Sequence, residues 1–201
     1  MSLLVALGIG VAFARQTYQP NAFDLVLIYY QRSGLPIPWH DLAQHFDDYR
    51  RARNEFDRQE MLSKIKPIIE REMQLVADRD LLLFPTSVNI GEYEFGSGAF
   101  PLSITPLMYS EFSTRIPGPP PAILFLNADK FTTWALPRDE ARQLLATLRG
   151  ARTLAADIEY RPVRAREGSL NWKTYRIIDV EIVKIALSTP DKRIPIAVLV
   201  P

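Results

Sequence analysis

The chain opens with an unbroken apolar run, Leu3 to Ala14, and turns polar at Arg15-Gln16-Thr17. Spanning a bilayer as a helix takes about 20 apolar residues, so this run is too short to cross. It suits the core of a secretion signal, and Ala12-Phe13-Ala14 supplies a small-x-small cleavage site. The basic residues that normally precede such a core are missing. The competing expectation is that residues 3–14 form a buried strand or core helix.

Helical spacing dominates the next part. Asn21 reads as an N-cap with Asp24 in the first turn, where a carboxylate meets the positive helix end. Phe23, Leu25, Val26, Leu27, Ile28, Tyr29 and Tyr30 are apolar nearly all round, which predicts a deeply buried helix. Ser33-Gly34 ends it, and Pro36 and Pro38 bar its continuation. Trp39 to about Arg53 reads as a second helix, with Trp39, Leu42, Ala43, Phe46 and Tyr49 at helical intervals. Asn54 caps a third. There Leu62, Ile65, Ile69, Met73 and Val76 step by threes and fours, and Pro67 is expected to kink or interrupt it.

From Leu81 the period shortens. Strands are expected at Leu81–Pro85, Thr86–Ile90, Leu102–Phe112, Ala122–Asn127 and Phe131–Trp134, with a stiff proline loop at residues 116–121. Pro137 starts one inserted helix with an Ala141, Leu144, Leu145, Leu148 stripe, and Gly150 ends it. Alternation then predicts strands at Leu154–Tyr160, Tyr175–Leu187 and Ile194–Val200, the last two joined by a Thr189-Pro190-Asp191-Lys192 turn. Helices first and strands after predict an α+β fold: N-terminal helices packed on a mostly antiparallel sheet with one inserted helix. The expected division is a signal peptide, residues 1–14, followed by a single α+β domain, residues 15–201.

Composition narrows the chemistry. The chain has 201 residues, 47% hydrophobic and 23% charged, which favours a folded domain over disorder. A net charge of +1 gives no field to attract nucleic acid, so no nucleic-acid partner is expected. With no cysteine there is no disulfide, thiolate ligand or thiol nucleophile. No transmembrane span is expected once the signal is removed.

Few residues suggest a site. His40 and His45, the only histidines, lie five apart, not at the four-residue spacing that puts two ligands on one helix face, so no metal site is expected. Gly91, Gly96 and Gly98 match no phosphate-loop spacing, and no cofactor is expected. Their aromatic neighbours Tyr93, Phe95 and Phe100 are the candidate ligand-binding residues, with core or cross-strand packing as the competing role. Arg149, Arg152, Arg161, Arg164 and Arg166 form a basic stretch that could meet a polyanion, or a solvated sheet face interleaved with Asp157, Glu159 and Glu167. No Gly-x-Ser-x-Gly occurs, so catalytic residues are not assigned.

Three stretches together resemble a family. They are Asn54-Glu55-Phe56-Asp57-Arg58, Gly91-Glu92-Tyr93-Glu94-Phe95 leading to Gly98-Ala99-Phe100-Pro101, and Leu136-Pro137-Arg138-Asp139-Glu140-Ala141-Arg142-Gln143-Leu144 leading to Arg152. They resemble uncharacterised bacterial exported domains of the DUF4852 type. The resemblance implies export and no activity. The expectation is therefore a non-enzymatic periplasmic or secreted binding or accessory protein of the cell envelope, partnered by another envelope or secretion-system protein. The alternatives are a carboxylate-dependent envelope hydrolase, holding glycan or lipid near Tyr93–Phe100, and a self-associating structural module.

Overall fold

The computed structural model describes residues 17–105, 108–192 and 194–201; the expected signal segment lies outside them. The fold is α+β. Five helices are described: α1 (Ala22–Ser33), α2 (Trp39–Ala43), α3 (Asp47–Arg51), α4 (Glu55–Ala77) and α5 (Arg138–Leu148). Eight strands are described: β1 (Leu82–Asn89), β2 (Ala99–Pro101), β3 (Tyr109–Glu111), β4 (Pro121–Phe125), β5 (Thr133–Ala135), β6 (Thr153–Leu170), β7 (Lys173–Ser188) and β8 (Pro195–Leu199).

The helical layer begins as the sequence predicts. The Asn21 side chain accepts from the Phe23 and Asp24 amides, while the Asp24 carboxylate accepts from the Asn21 amide, a reciprocal box that satisfies the first turn. The same carboxylate oxygen, Oδ2, also takes the Tyr18 hydroxyl at 2.6 Å, so the buried Asp24 side chain accepts two hydrogen bonds. Helix α1 lies between the sheet, where it meets β4, β6 and β7, and α4 on its other side. That position explains why Phe23 through Tyr29 are all buried in succession. Burying each aliphatic side chain of this run stabilises the fold by roughly 1.5–3 kcal/mol. Gly34 closes α1 in the left-handed region.

The structure corrects one helical expectation and narrows another. Trp39–Arg53 is not one helix but two short ones, because Phe46 turns extended and its ring packs edge-on against Phe23 at 5.9 Å. Pro67 does not interrupt α4, which runs from Glu55 to Ala77. Pro67 and Ser63 are both exposed, so water can reach the Ser63 carbonyl to which the proline cannot donate.

The main sheet has the order β1-β6-β7-β4-β3, with β8 also on β7. Pairing is antiparallel except β4–β7, which is parallel. A separate ribbon pairs β2 with β5. Among the described residues of the expected Leu102–Phe112 strand only β3 forms, and Phe131 ends a 3-10 turn before β5. Strand β6 runs ten residues beyond the predicted Tyr160, through the arginine-rich stretch to Leu170. It and β7 form one long hairpin, closed by Asn171 and Trp172, both with positive φ.

Strand β7 alternates sharply. Ile178, Val180 and Ile182 join the main core beneath α1, whereas Tyr175 and Ile177 join Ala122 and Leu124 in a small cluster on the other face. One edge of β7 is shared: β4 pairs it as far as Val180, and β8 pairs it from Ile185. Between them the side chain of Asn127 acts as a surrogate strand. Its Nδ2 donates to the Ile182 carbonyl at 3.0 Å, and its Oδ1 accepts from the Ile182 amide at 2.8 Å.

Candidate functional site

The loop from Gly91 to Gly98 is built by its own backbone. The Glu94 amide donates to the Ala99 carbonyl and the Gly98 amide to the Glu94 carbonyl, a tight turn that puts Gly98 at φ 67°. That conformation favours glycine because a Cβ would crowd the following carbonyl. The turn lifts Phe95 into solvent, where the residue is 72% exposed. The loop is tied down by Tyr93, whose hydroxyl donates to the Leu136 carbonyl at 2.9 Å, and by the Leu136 amide donating to Gly98.

The three sequence-chosen aromatics meet, but in different roles. They form a chain of ring contacts running from core to surface. Trp134 and Phe100, paired across β2–β5, lie 6.3 Å apart between ring centroids. Phe100 meets Tyr93 at 5.1 Å, and Tyr93 meets Phe95 at 5.3 Å, both edge-on. Phe100 is wholly buried and supports the site from behind. Tyr93 and Phe95 line a depression of about 190 Å³ together with Arg138, Ala141, Arg142 and Leu145 of α5.

Those α5 residues fall at intervals of three and four, so they form one stripe facing the loop. The Arg138 guanidinium lies over the Phe95 ring, 5.1 Å from its centroid. Among the described residues neither Arg138 nor Arg142 is held in an ion pair. Sequence reasoning saw the apolar stripe of this helix but missed its arginines. The available signal was their four-residue spacing, each three residues ahead of a lining residue, Ala141 and Leu145.

The other candidates are engaged in structural contacts. His40 Nδ1 shares a hydrogen bond with the Tyr49 hydroxyl at 2.6 Å, and His45 stacks on Phe23 at 4.1 Å. Burial, then the nearby Arg50 charge, hold the His45 imidazole below its ordinary pKa. Among the described residues no group of three or more His, Asp or Glu could hold a metal ion. The basic stretch is largely spoken for. Arg164 and Arg166 both clamp Asp179, which is fully buried, with their Nε atoms at 2.6 and 3.1 Å. Arg161 faces Glu181 at 3.7 Å, and Arg152 donates to the Gly91 carbonyl. Arg176 is buried under the proline loop. There it donates to the Pro117 carbonyl, and Gly118, at φ 94°, leaves no room for a Cβ beside the guanidinium.

Searches against protein families, curated proteins and solved structures found no match. The function of this site is therefore read from its own geometry.

Proposed function

We propose that the protein is a non-enzymatic binding or accessory module of the bacterial cell envelope, and that the groove between α5 and the Gly91–Gly98 loop is its recognition face. The observation carrying this reading is Phe95. A large apolar side chain is held out in water by a braced turn, on rings that run back into the core. An aromatic anchor fixed in advance costs little entropy on binding, which is the property of interface hot spots.

The groove's size supports a macromolecular partner. Pockets for free small molecules usually enclose about 300–1,000 Å³. A space of about 190 Å³ fits one side chain or one sugar ring of something larger. Its lining carries no Asp or Glu, so the carboxylate-hydrolase alternative draws no support from it.

The test is photo-crosslinking in intact cells, with benzoylphenylalanine at position 95 and, as a control, at Phe56, which is 80% exposed on α4. A discrete adduct from position 95 alone is expected. Mass spectrometry of the recovered chain is expected to show Arg15 as its first residue. Identical adducts from both positions would refute the groove, and an uncleaved cytoplasmic chain would refute the envelope assignment.

A further inference from the structure

The charge around the groove says what enters it. Arg138 and Arg142 stand one helical turn apart, about 6 Å along the axis, on the stripe that faces Phe95. Among the described residues no carboxylate forms an ion pair with either. Asp139 and Glu140 are rotated by at least 100° from Arg138 around the helix, and Asp139, three residues before Arg142 and so on a neighbouring face, makes no ion pair with it. Glu94 in the loop accepts from the Ser97 hydroxyl at 3.0 Å and forms an ion pair with neither arginine. By contrast, Arg164 and Arg166 of β6 are both given a buried carboxylate, Asp179.

We infer that the groove takes an acidic segment of a partner protein, with one carboxylate held by Arg138 and Arg142 and an adjacent apolar side chain laid against Phe95 and Leu145. This rests on the groove being the recognition face. A guanidinium binds a carboxylate through two parallel N–H donors, and two guanidiniums one turn apart can share a carboxylate or hold two in sequence. The apolar half matches this ligand, since the small Ala141 side chain leaves room between Phe95 and Leu145. A peptide supplies a carboxylate and an apolar side chain within one or two residues. A free phosphate supplies only the charge and leaves the aromatic half unused.

The experiment uses the purified full chain and a phage-displayed library of random heptapeptides, with enriched sequences resynthesised and measured by fluorescence anisotropy. Enriched peptides are expected to carry Asp or Glu next to a Leu or aromatic residue. Binding should weaken about tenfold or more in Arg142→Glu and in Phe95→Ala, and several-fold between about 50 and about 500 mM salt. Arg138→Lys, which keeps the charge but loses the fork, is expected to weaken binding less than Arg142→Glu. Neutral or basic peptides that lose binding in Phe95→Ala would overturn the acidic ligand while leaving the groove as the recognition face. Enriched peptides indifferent to Phe95→Ala, or none enriched, would remove both. Displacement of the peptide by inorganic phosphate at micromolar concentration would assign the arginines to a phosphate ligand and overturn the peptide.

Discussion

Replacing Asn127 with alanine tests the surrogate-strand role of its side chain. The substitution removes both hydrogen bonds to Ile182, a residue only 1% exposed, and offers no other chain to replace them. An orphaned buried amide or carbonyl costs roughly 1–3 kcal/mol, so two such groups set an upper range of about 2–6 kcal/mol. Asn127 is itself half-buried, so water can reach the vacated rung from outside and lower the loss. The expected destabilisation is about 2–4 kcal/mol, a large share of the roughly 5–15 kcal/mol that holds a domain folded. Urea titration followed by circular dichroism measures it, with the slope unchanged if the folded state stays intact. Asn127→Asp sharpens the test. It keeps the acceptor for the Ile182 amide but sets a second acceptor against the Ile182 carbonyl, so it should be no more stable than the alanine variant. A loss below about 1 kcal/mol in Asn127→Ala, or an aspartate variant close to wild type, would refute the reasoning.

Two further outcomes concern the hairpin tip and the start of α1. Trp172 is fully exposed at φ 66°, so Trp172→Gly should raise stability by about 1 kcal/mol, read as a higher urea midpoint; a lower midpoint would mean the indole is held by contacts in solution. Tyr18 is pushed up to about 12 by burial and by its bond to Asp24, so the folded state keeps a proton that the unfolded chain sheds near pH 10. Its contribution is complete below pH 10 and is lost as the pH rises towards 12, and Tyr18→Phe should flatten that alkaline decline in a pH series of thermal melts.

The features legible in the sequence were those decided by neighbours along the chain. Asn21 and Asp24 box their own helix, the apolar run after them can only be buried, and Tyr93, Phe95 and Phe100 lie close enough in sequence to be suspected together. The features that escaped were decided by distant partners. Nothing local announces that Phe46 will leave helical geometry to pack on Phe23, or that Asn127 will answer Ile182 across the sheet. Arg164 and Arg166 read as a solvated or polyanion-binding face because Asp179, which claims both, lies more than ten residues further on. For the same reason Arg138 and Arg142 were missed, since the ring that makes them a site lies more than forty residues upstream.

The long β6–β7 hairpin also shapes the order in which the molecule can assemble. Its two strands are joined by two residues, so their pairing closes a minimal loop, and the ladder runs from Ala155 opposite Ser188 to Leu170 opposite Lys173. Joining β4 to β7 must instead close more than fifty residues, from Pro121 to Arg176. Loop-closure entropy favours the first event strongly. The hairpin is therefore the natural nucleus, on which β1, β4 and β8 are later templated. Conservative substitutions along the β6–β7 ladder should slow refolding, whereas those at the β4–β7 seam should mainly speed unfolding.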